Sequence, residues 1–490
     1  MNTQESTPVN GANKTTKDFI WSFARNGLNK IVSFIVTLVL ARILMPEEYG
    51  IIAIVTVLIV ICDVFITSGL PNTLIRRREV DETDFSTVFY FGIIFAAAIY
   101  CGVYFAAPLV ASIYEYEALT AVIRAMSVTV IISSIKSVPL SLASRNQDNK
   151  KLFLPSFCGI IVSAAVGITL AYMGFGVWAL VAQYLSNNLV DTVILWIISK
   201  WYPKLKFSFS RLRILFSEGW KYLASDLLMA LTDELRTIII GKVYTSDDLA
   251  YYQKGRQFPN LVATTVNSSI SVPLFAALSK NQDNKRDIRN ATSRFIKTGS
   301  YLLMPVMVGL AVVAEPMVRF LLTEKWMECV PYLQLLCIGF AFIPIQSANV
   351  QACAAMKPIV KTITEIIKRS VNIIVLILTF RISVMAMVIG EVSCTVASLV
   401  VNTVASKKLF DYGTFAQIKD IAPYILASVA MGAAIWPISL IGLPDILTII
   451  IQVALGIAVY LLISVCFKLD SFRYILNKIK PILNRRKNND

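Results

Sequence analysis

Fourteen apolar stretches, most of about 20 residues or more, follow one another along the chain with only short polar connections between them. A helix of that length crosses the hydrocarbon of a bilayer. Inside it every backbone N–H and C=O must be bonded within the segment, so such a chain folds as a bundle of membrane-spanning helices. The stretches lie near 19–44, 49–70, 85–113, 119–143, 153–172, 177–199, 218–243, 249–278, 291–314, 330–352, 363–380, 384–405, 421–441 and 446–467. The longest connection, 200–217, has 18 residues, too few for a soluble domain. Charged residues are 16% of the 490, against about 25% in soluble proteins. The first 18 residues are polar and carry no signal-peptide core, so the span from Phe19 is expected to act as an uncleaved anchor.

Basic residues set the expected orientation. Lys and Arg number 46 and Asp and Glu 31, a formal net of +15. In a membrane protein such an excess gathers on the cytoplasmic side, and no nucleic-acid partner is implied. With both termini inside, the cytoplasmic segments hold 29 Lys/Arg and the outer loops three, Arg319, Lys325 and Arg381. One helix more or fewer would put Arg76-Arg77-Arg78 and the basic connection 200–213 on opposite sides. The basic tail 468–490 reads equally as an amphipathic helix on anionic headgroups or as a solvated tail.

The chain has no His, which excludes Ser-His-Asp and Cys-His catalysis and His-based zinc sites. Its eight Cys are scattered without a CxxC pair, a pattern of small core residues rather than of a metal or disulfide framework. No cofactor and no enzymatic chemistry is expected.

The spans themselves hold fourteen basic and eight acidic residues, a net of +6. Each charge near the bilayer centre costs about 2.5–3.5 kcal/mol on insertion scales, so these residues need a partner or a polar cavity. Arg42, Lys221 and Lys242 lie near helix ends and can reach the interface. Glu365 with Lys368 and Arg369, and Asp233 with Arg236, are spaced to pair on one helix face. Arg25, Lys30, Lys136, Lys254, Arg256, Arg294 and Lys297 have no acid at such spacing on their own helices. This set predicts a hydrated chamber that accepts an anion, with Lys368 and Arg369 as further candidates. Asn187, Asn188, Asn267, Ser268, Gln346 and Asn349 are candidates for sugar contacts, or else for interhelical hydrogen bonds. Asp63, Asp191 and Glu391 are candidates for H⁺ or Na⁺ coupling, or else for packing against a neighbouring cation. Pro139, Pro273, Pro305, Pro344, Gly299 and Gly309 read as ordinary kinks of membrane helices before they read as hinges.

The chain also repeats itself at an offset of about 200 residues. Trp21 and Trp220 stand near the starts of the first and seventh spans. Arg42-Ile-Leu-Met-Pro-Glu-Glu-Tyr-Gly50 then corresponds to Lys242-Val-Tyr-Thr-Ser-Asp-Asp-Leu-Ala250. In both, a basic residue closes one helix and an acidic pair falls in the first turn of the next, where it favours the N-terminal dipole. These acids are expected to be caps rather than ligands. Six helices per repeat predict two parallel bundles, 19–199 and 218–405. They are joined by the connection 200–217 and followed, after a connection at 406–420, by two appended helices at 421–467. The expected fold is an all-α membrane protein of about fourteen spans. A second repetition, Ser144-Arg-Asn-Gln-Asp-Asn-Lys-Lys151 and Ser279-Lys-Asn-Gln-Asp-Asn-Lys-Arg286, breaks the six-helix offset and suggests similar intracellular caps.

Four segments carry a resemblance. They are Ala41-Arg-Ile-Leu-Met-Pro-Glu-Glu-Tyr-Gly50, Gly174-Phe-Gly-Val-Trp-Ala-Leu-Val181, Asp233-Glu-Leu-Arg-Thr-Ile-Ile-Ile-Gly241 with Leu249-Ala-Tyr-Tyr252, and Pro273-Leu-Phe before the Asn-Gln-Asp cap. In order and spacing over about 15–470 the chain resembles the Wzx-type polysaccharide-transport flippases of the MOP exporter superfamily, in particular the WzxC-like lipopolysaccharide or colanic-acid exporters. The resemblance implies a protein of the bacterial cytoplasmic membrane that moves an undecaprenyl-pyrophosphate-linked oligosaccharide from the inner to the outer leaflet. It implies membrane lipids and polysaccharide polymerase machinery as partners, and a cationic cavity in which Arg25 matches an important first-helix arginine.

A pyrophosphate suits such cations, Arg through forked hydrogen bonds and Lys as a point charge. Arg25, Lys30, Lys136, Arg294 and Lys297 would draw the headgroup in, and Lys254 and Arg256 would receive it. Two other transporters fit the architecture. A MATE-like antiporter of organic cations would need net acid in its cleft, which the spans lack. A peptidoglycan-precursor flippase shares the same charge logic. An O-antigen polymerase or ligase would present a large outer loop, and the longest here, about 315–329, is small.

Overall fold

Helices joined by tight turns make up the chain, and among the described residues there is no strand. The structure is a computed structural model that describes residues 27–280 and 284–474, the side chains at 269–273, 275–277 and 279–280 excepted. Arg25, Trp21, the centre of the second Asn-Gln-Asp copy, the Pro273 side chain and the tail beyond 474 lie outside the described residues.

The first eight helices are α1 (Asn29–Ile43), α2 (Pro46–Thr67), α3 (Gly69–Arg76), α4 (Glu82–Tyr114), α5 (Ala118–Arg145), α6 (Asn149–Tyr172), α7 (Val177–Ser199) and α8 (Phe209–Val243). The next eight are α9 (Ser246–Lys280), α10 (Lys285–Leu322), α11 (Val330–Phe340), α12 (Ile343–Met356), α13 (Pro358–Thr379), α14 (Val384–Phe410), α15 (Thr414–Ile435) and α16 (Asp445–Cys466). Among the described residues ten helical stretches are long and apolar enough to cross a membrane. The other four expected spans fall on α1, α8, α9 and α13, whose described parts are shorter or carry more charge. Large apolar side chains such as Phe105, Leu426 and Ile457 are exposed, as a lipid-facing surface requires.

By its contacts the chain divides into two units, Met1–Ala250 and Tyr251–Asp490. In the first, α2 and α7 pack on α5, α6 packs on α7, α4 on α5, and α1 on α6, around a core that includes Leu40, Val55, Leu119, Val130 and Leu180. Here α8, which the duplication counts as the seventh span, packs on α2, α3 and α4. In the second unit the 38-residue α10 contacts α11, α12, α15 and α16, while α14 packs on α11, α12 and α13.

The structure departs from the sequence reading in two places. The stretch expected as one span at 330–352 is two helices, and Pro344 lies in the first turn of the second, where a missing N–H costs no helical bond. The basic connection 200–217 is bound to its neighbours, and α8 starts within it. Lys204 N–H donates to Ser86 Oγ (3.0 Å) and Ser208 N–H to Thr87 Oγ1 (3.2 Å). Trp201 is buried against the rings of Phe85, Phe89 and Trp196. Arg211 bridges Asp81 (3.2 Å) and the buried Asp84 (3.3 Å). Bound to α4 in this way, the segment starts α8 at Phe209, nine residues before the expected span.

The duplicated turns are caps, as expected. Met45 N–H donates to Glu48 Oε2 (2.8 Å), with Pro46 opening α2. Thr245 N–H donates to Asp248 Oδ2 (3.2 Å), and Asp248 N–H donates back to Thr245 Oγ1 (3.1 Å). The two turns also touch. A Cβ on Gly50 would lie 2.0 Å from the Ser246 carbonyl oxygen, so only glycine lets these backbones meet. The Asn-Gln-Asp copies likewise end in helix caps: Asp148 accepts from Lys151 N–H (3.1 Å), and Asn284 Oδ1 accepts from Arg286 N–H (3.0 Å).

Meeting turns bring their acids together. Burial, then the charges of Glu47 and Asp248, push the Asp247 carboxyl above the ordinary carboxylate range. A carboxyl whose folded pKa is raised weakens the fold while ionised. That cost is present at neutral pH and fades as pH falls through the raised value. Asp247→Asn is therefore expected to melt a few degrees above the wild type at pH 7 and level with it near pH ~4. Thermal scans at both pH values check this, and identical melting at pH 7 would refute it.

Candidate functional site

In the first unit three helices contribute to one polar cluster. Lys136 of α5 extends its ammonium to Asp191 Oδ2 of α7 at 3.0 Å. Lys136 is also within electrostatic reach of Asp63 on α2, near the Ser133 hydroxyl. The Lys136 and Asp191 side chains are 16% and 21% exposed, so the pair is shielded but not sealed. One turn below Asp191, Asn187 lies against Gly159 of α6, where a Cβ would approach its Oδ1 to 2.8 Å. Glycine there lets α6 and α7 close on each other. Among the described residues, Asp63 Oδ1 and Asn187 Oδ1 are buried without a hydrogen-bond donor. Buried oxygens of this kind are where water or a cation is held.

In the second unit α9 presents Lys254 and Arg256. Lys254 is 4% exposed, with its ammonium 5.4 Å from the Trp326 ring centre and 3.4 Å from Gln257 Oε1. Trp326 is itself fully buried in the 3₁₀ turn Glu324–Cys329 that follows α10. Gly255 lets the helix approach this region, since a Cβ would come within 2.9 Å of the Cys329 carbonyl oxygen. Arg256 reaches Glu391 of α14 (3.9 Å) and the hydroxyl of Tyr252 (3.4 Å). That hydroxyl donates to Glu391 Oε2 (3.0 Å), which closes a three-member network.

Further along, Lys297 of α10 holds Asp420 (3.1 Å) and Asp470 (3.9 Å). Asp420 also accepts from Ser293 Oγ (2.7 Å) and the Tyr412 hydroxyl (2.6 Å). Arg294 stacks over Tyr474, 5.3 Å from the ring centre. Lys368 pairs with Glu365 at 2.5 Å on one face of α13, as the spacing predicted. Arg369 is half-buried on the same helix. Lys30 is half-buried in the first turn of α1, with no carboxylate at ion-pair distance among the described residues.

The expectation of an unneutralised set is thereby corrected for three residues. Lys136, Arg256 and Lys297 each have an acid, supplied by another helix, which spacing along one helix cannot reveal. Asp191 and Glu391, read as coupling candidates, are two of those acids. The sugar candidates divide as well. Asn349 is fully buried, donates to Gln417 Oε1 (2.8 Å) and accepts from Ser406 Oγ (2.5 Å) and Gln417 Nε2 (2.9 Å), an interhelical lock between α12, α14 and α15. Gln346 donates to the Thr395 carbonyl (3.3 Å) and Asn188 to that of Tyr184 on its own helix (3.1 Å). Asn267 is half-buried and Ser268 exposed on α9.

Tyr252, Trp326 and Asp420 take part in this machinery but were not candidates in the sequence. Leu249-Ala-Tyr-Tyr252 already stood out as a segment of the resemblance, whereas nothing local marks Trp326. Among the described residues no group of three or more His, Cys, Asp or Glu is placed to hold a metal ion.

A sequence profile of the family described as "Polysaccharide biosynthesis protein" matches residues 39–331. The chain is 25% identical over 333 residues to the succinoglycan biosynthesis transport protein ExoT of Rhizobium meliloti (strain 1021), covering 68% of this chain and 67% of that one. It is 22% identical over 308 residues to the lipopolysaccharide biosynthesis protein WzxC of Escherichia coli (strain K12), covering 61% of each. Its fold is similar to that of the lipid II flippase MurJ in an inward closed conformation. The TM-score is 0.74 at 17% identity, over 92% of this chain and 98% of the other.

Proposed function

Because the chain belongs to the polysaccharide biosynthesis protein family, we propose that it is a flippase for a lipid-linked glycan. The cargo would be an undecaprenyl-pyrophosphate-linked oligosaccharide, moved from the inner to the outer leaflet of the cytoplasmic membrane for a surface polysaccharide. Polysaccharide biosynthesis is the shared theme of the relatives, one of which is named a transport protein, and helices long and apolar enough to cross a membrane are present. Both termini would be cytoplasmic, and polymerase machinery would take the cargo on the far side.

The observation that carries the reading is the positive surplus inside the spans, fourteen Lys/Arg to eight Asp/Glu. A diphosphate crossing a low-dielectric region needs cations along its path, where each contact is stronger than in water. An exporter of organic cations needs the opposite sign. Lys136, Lys254 and Arg256 are shielded by their helices yet held by polar partners, so a diphosphate could replace the carboxylate at Lys136 and Arg256 and the Gln257 amide oxygen at Lys254. Arg25 of the first expected span and Lys30 of α1 would supply further positive charge, and Arg294, Lys297, Lys368 and Arg369 would extend it in the second unit. The half-buried Asn188 and Asn267 would meet sugar hydroxyls. Asp63, Lys136 and Asp191 would couple the cycle to H⁺ or Na⁺, because release of Lys136 to the cargo leaves two carboxylates to bind a cation.

Deleting the gene should leave the lipid-linked oligosaccharide on the inner leaflet, unpolymerised and inaccessible to glycosidase added outside intact protoplasts. If the oligosaccharide were exposed on the outer leaflet at wild-type level in the deletion strain, the reading would be wrong.

A further inference from the structure

One cleft in the second unit has a chemistry of its own. It has a volume of about 340 Å³ and opens where the start of α10 meets the segment that follows α16. Asn290, Ser293, Arg294 and Lys297 line it from one side, and Asp470 and Tyr474 from the other. Lys297, held by Asp420 and Asp470, ties the two sides together. The Tyr424 hydroxyl, bonded to Ser471 at 2.8 Å, fixes the same segment from α15.

Arg294 differs from Lys297, one turn further along the same helix, which two carboxylates hold. Its guanidinium lies over the Tyr474 ring, 5.3 Å from the centre, and among the described residues no carboxylate is within ion-pair distance of it. Stacking covers one face of the guanidinium and leaves its N–H groups, which point outward in the plane, to make forked bonds. Its level in the membrane is set by its neighbours. The expected span on α10 begins near 291, and α16 ends at Cys466. The cleft therefore lies at headgroup depth, where the plentiful anion is a lipid phosphate.

We propose that this cleft binds the phosphate of a membrane lipid in the leaflet it faces, and for the carrier lipid alone the proposal rests on the flippase reading above. Arg294 holds the phosphate through forked hydrogen bonds, and the exposed amide of Asn290 adds a donor. Asp470 opposes the anion, but its carboxylate is 80% exposed and engaged by Lys297, so solvent and that ammonium screen it. The volume is at the low end of small-molecule sites, about 300–1,000 Å³, and suits a headgroup whose tails remain in the bilayer. Two sources share this chemistry, a resident anionic phospholipid and a polyprenyl pyrophosphate.

The test is native mass spectrometry of the full chain in detergent. It is titrated in separate arms with phosphatidylglycerol, phosphatidylcholine and undecaprenyl pyrophosphate. Arg294→Gln is expected to bind about fivefold less of at least one anionic lipid, with little change in phosphatidylcholine. Lys285→Gln, an exposed position outside the cleft, should bind as the wild type does. Loss of phosphatidylglycerol alone identifies a resident phospholipid, and loss of the pyrophosphate identifies the carrier lipid. Unchanged binding of both anionic lipids by Arg294→Gln overturns the proposal, as does an equal loss in Lys285→Gln. If Arg294→Gln melts early without lipid, Asn290→Leu on the exposed rim replaces it, with an expected loss of about twofold.

Discussion

Lys136→Ala should abolish glycan export and lower the melting temperature, whereas Lys136→Met combined with Asp191→Asn should restore melting and leave export lost. The reason is the pair's position. Lys136 and Asp191 stand 3.0 Å apart inside a bundle at 16% and 21% exposure. Removing the cation alone leaves Asp191, with Asp63 close by, as uncompensated negative charge. That costs on the order of 3 kcal/mol, because breaking a buried pair strands its partner. Neutralising both ends removes this penalty and keeps the shape. If Lys136 served the fold alone, the double variant would export normally, and that result would end its assignment to the cargo path. Export is measured as polysaccharide at the cell surface, and the fold by thermal scanning of the purified protein.

Gly50→Ala should be among the most damaging single-methyl changes in the first unit. The new Cβ would sit 2.0 Å from the Ser246 carbonyl oxygen and 2.5 Å from its carbon, so the two helix starts must move apart. Overpacking of this kind costs about 1–3 kcal/mol, and here the obstacle is backbone, which cannot rotate away. Gly102→Ala in α4 is the control. Nothing lies within 4 Å of its Cβ, and a glycine inside a helix costs about 0.5–1 kcal/mol relative to alanine, so this change should be neutral or stabilising. Equal melting temperatures for the two variants would show that the turns do not need to touch.

Much of the fold was legible because bilayer physics writes it into single segments. Span positions, the cap role of Glu48 and Asp248, and the Glu365–Lys368 pair all depend on neighbours within a few residues. The break at Pro344 was visible as a proline but not distinguishable from an ordinary kink, since membrane helices tolerate many. The anchoring of Trp201 and Arg211 on α4 was not visible at all, because the connection's basic composition looks the same whether it is bound or free.

The sequence by itself determined the membrane class, the spacing of the helices, the repeated turn and the surplus of positive charge, since each is a sum or a period along the chain. Tertiary structure alone decided which acids Lys136, Arg256 and Lys297 meet. Lys136 finds Asp191 across 55 residues, Arg256 finds Glu391 across 135, and Lys297 finds Asp420 across 123. Electrostatic energy depends on distance in space, and in a helical bundle the nearest charge is on a neighbouring helix as often as on the same one.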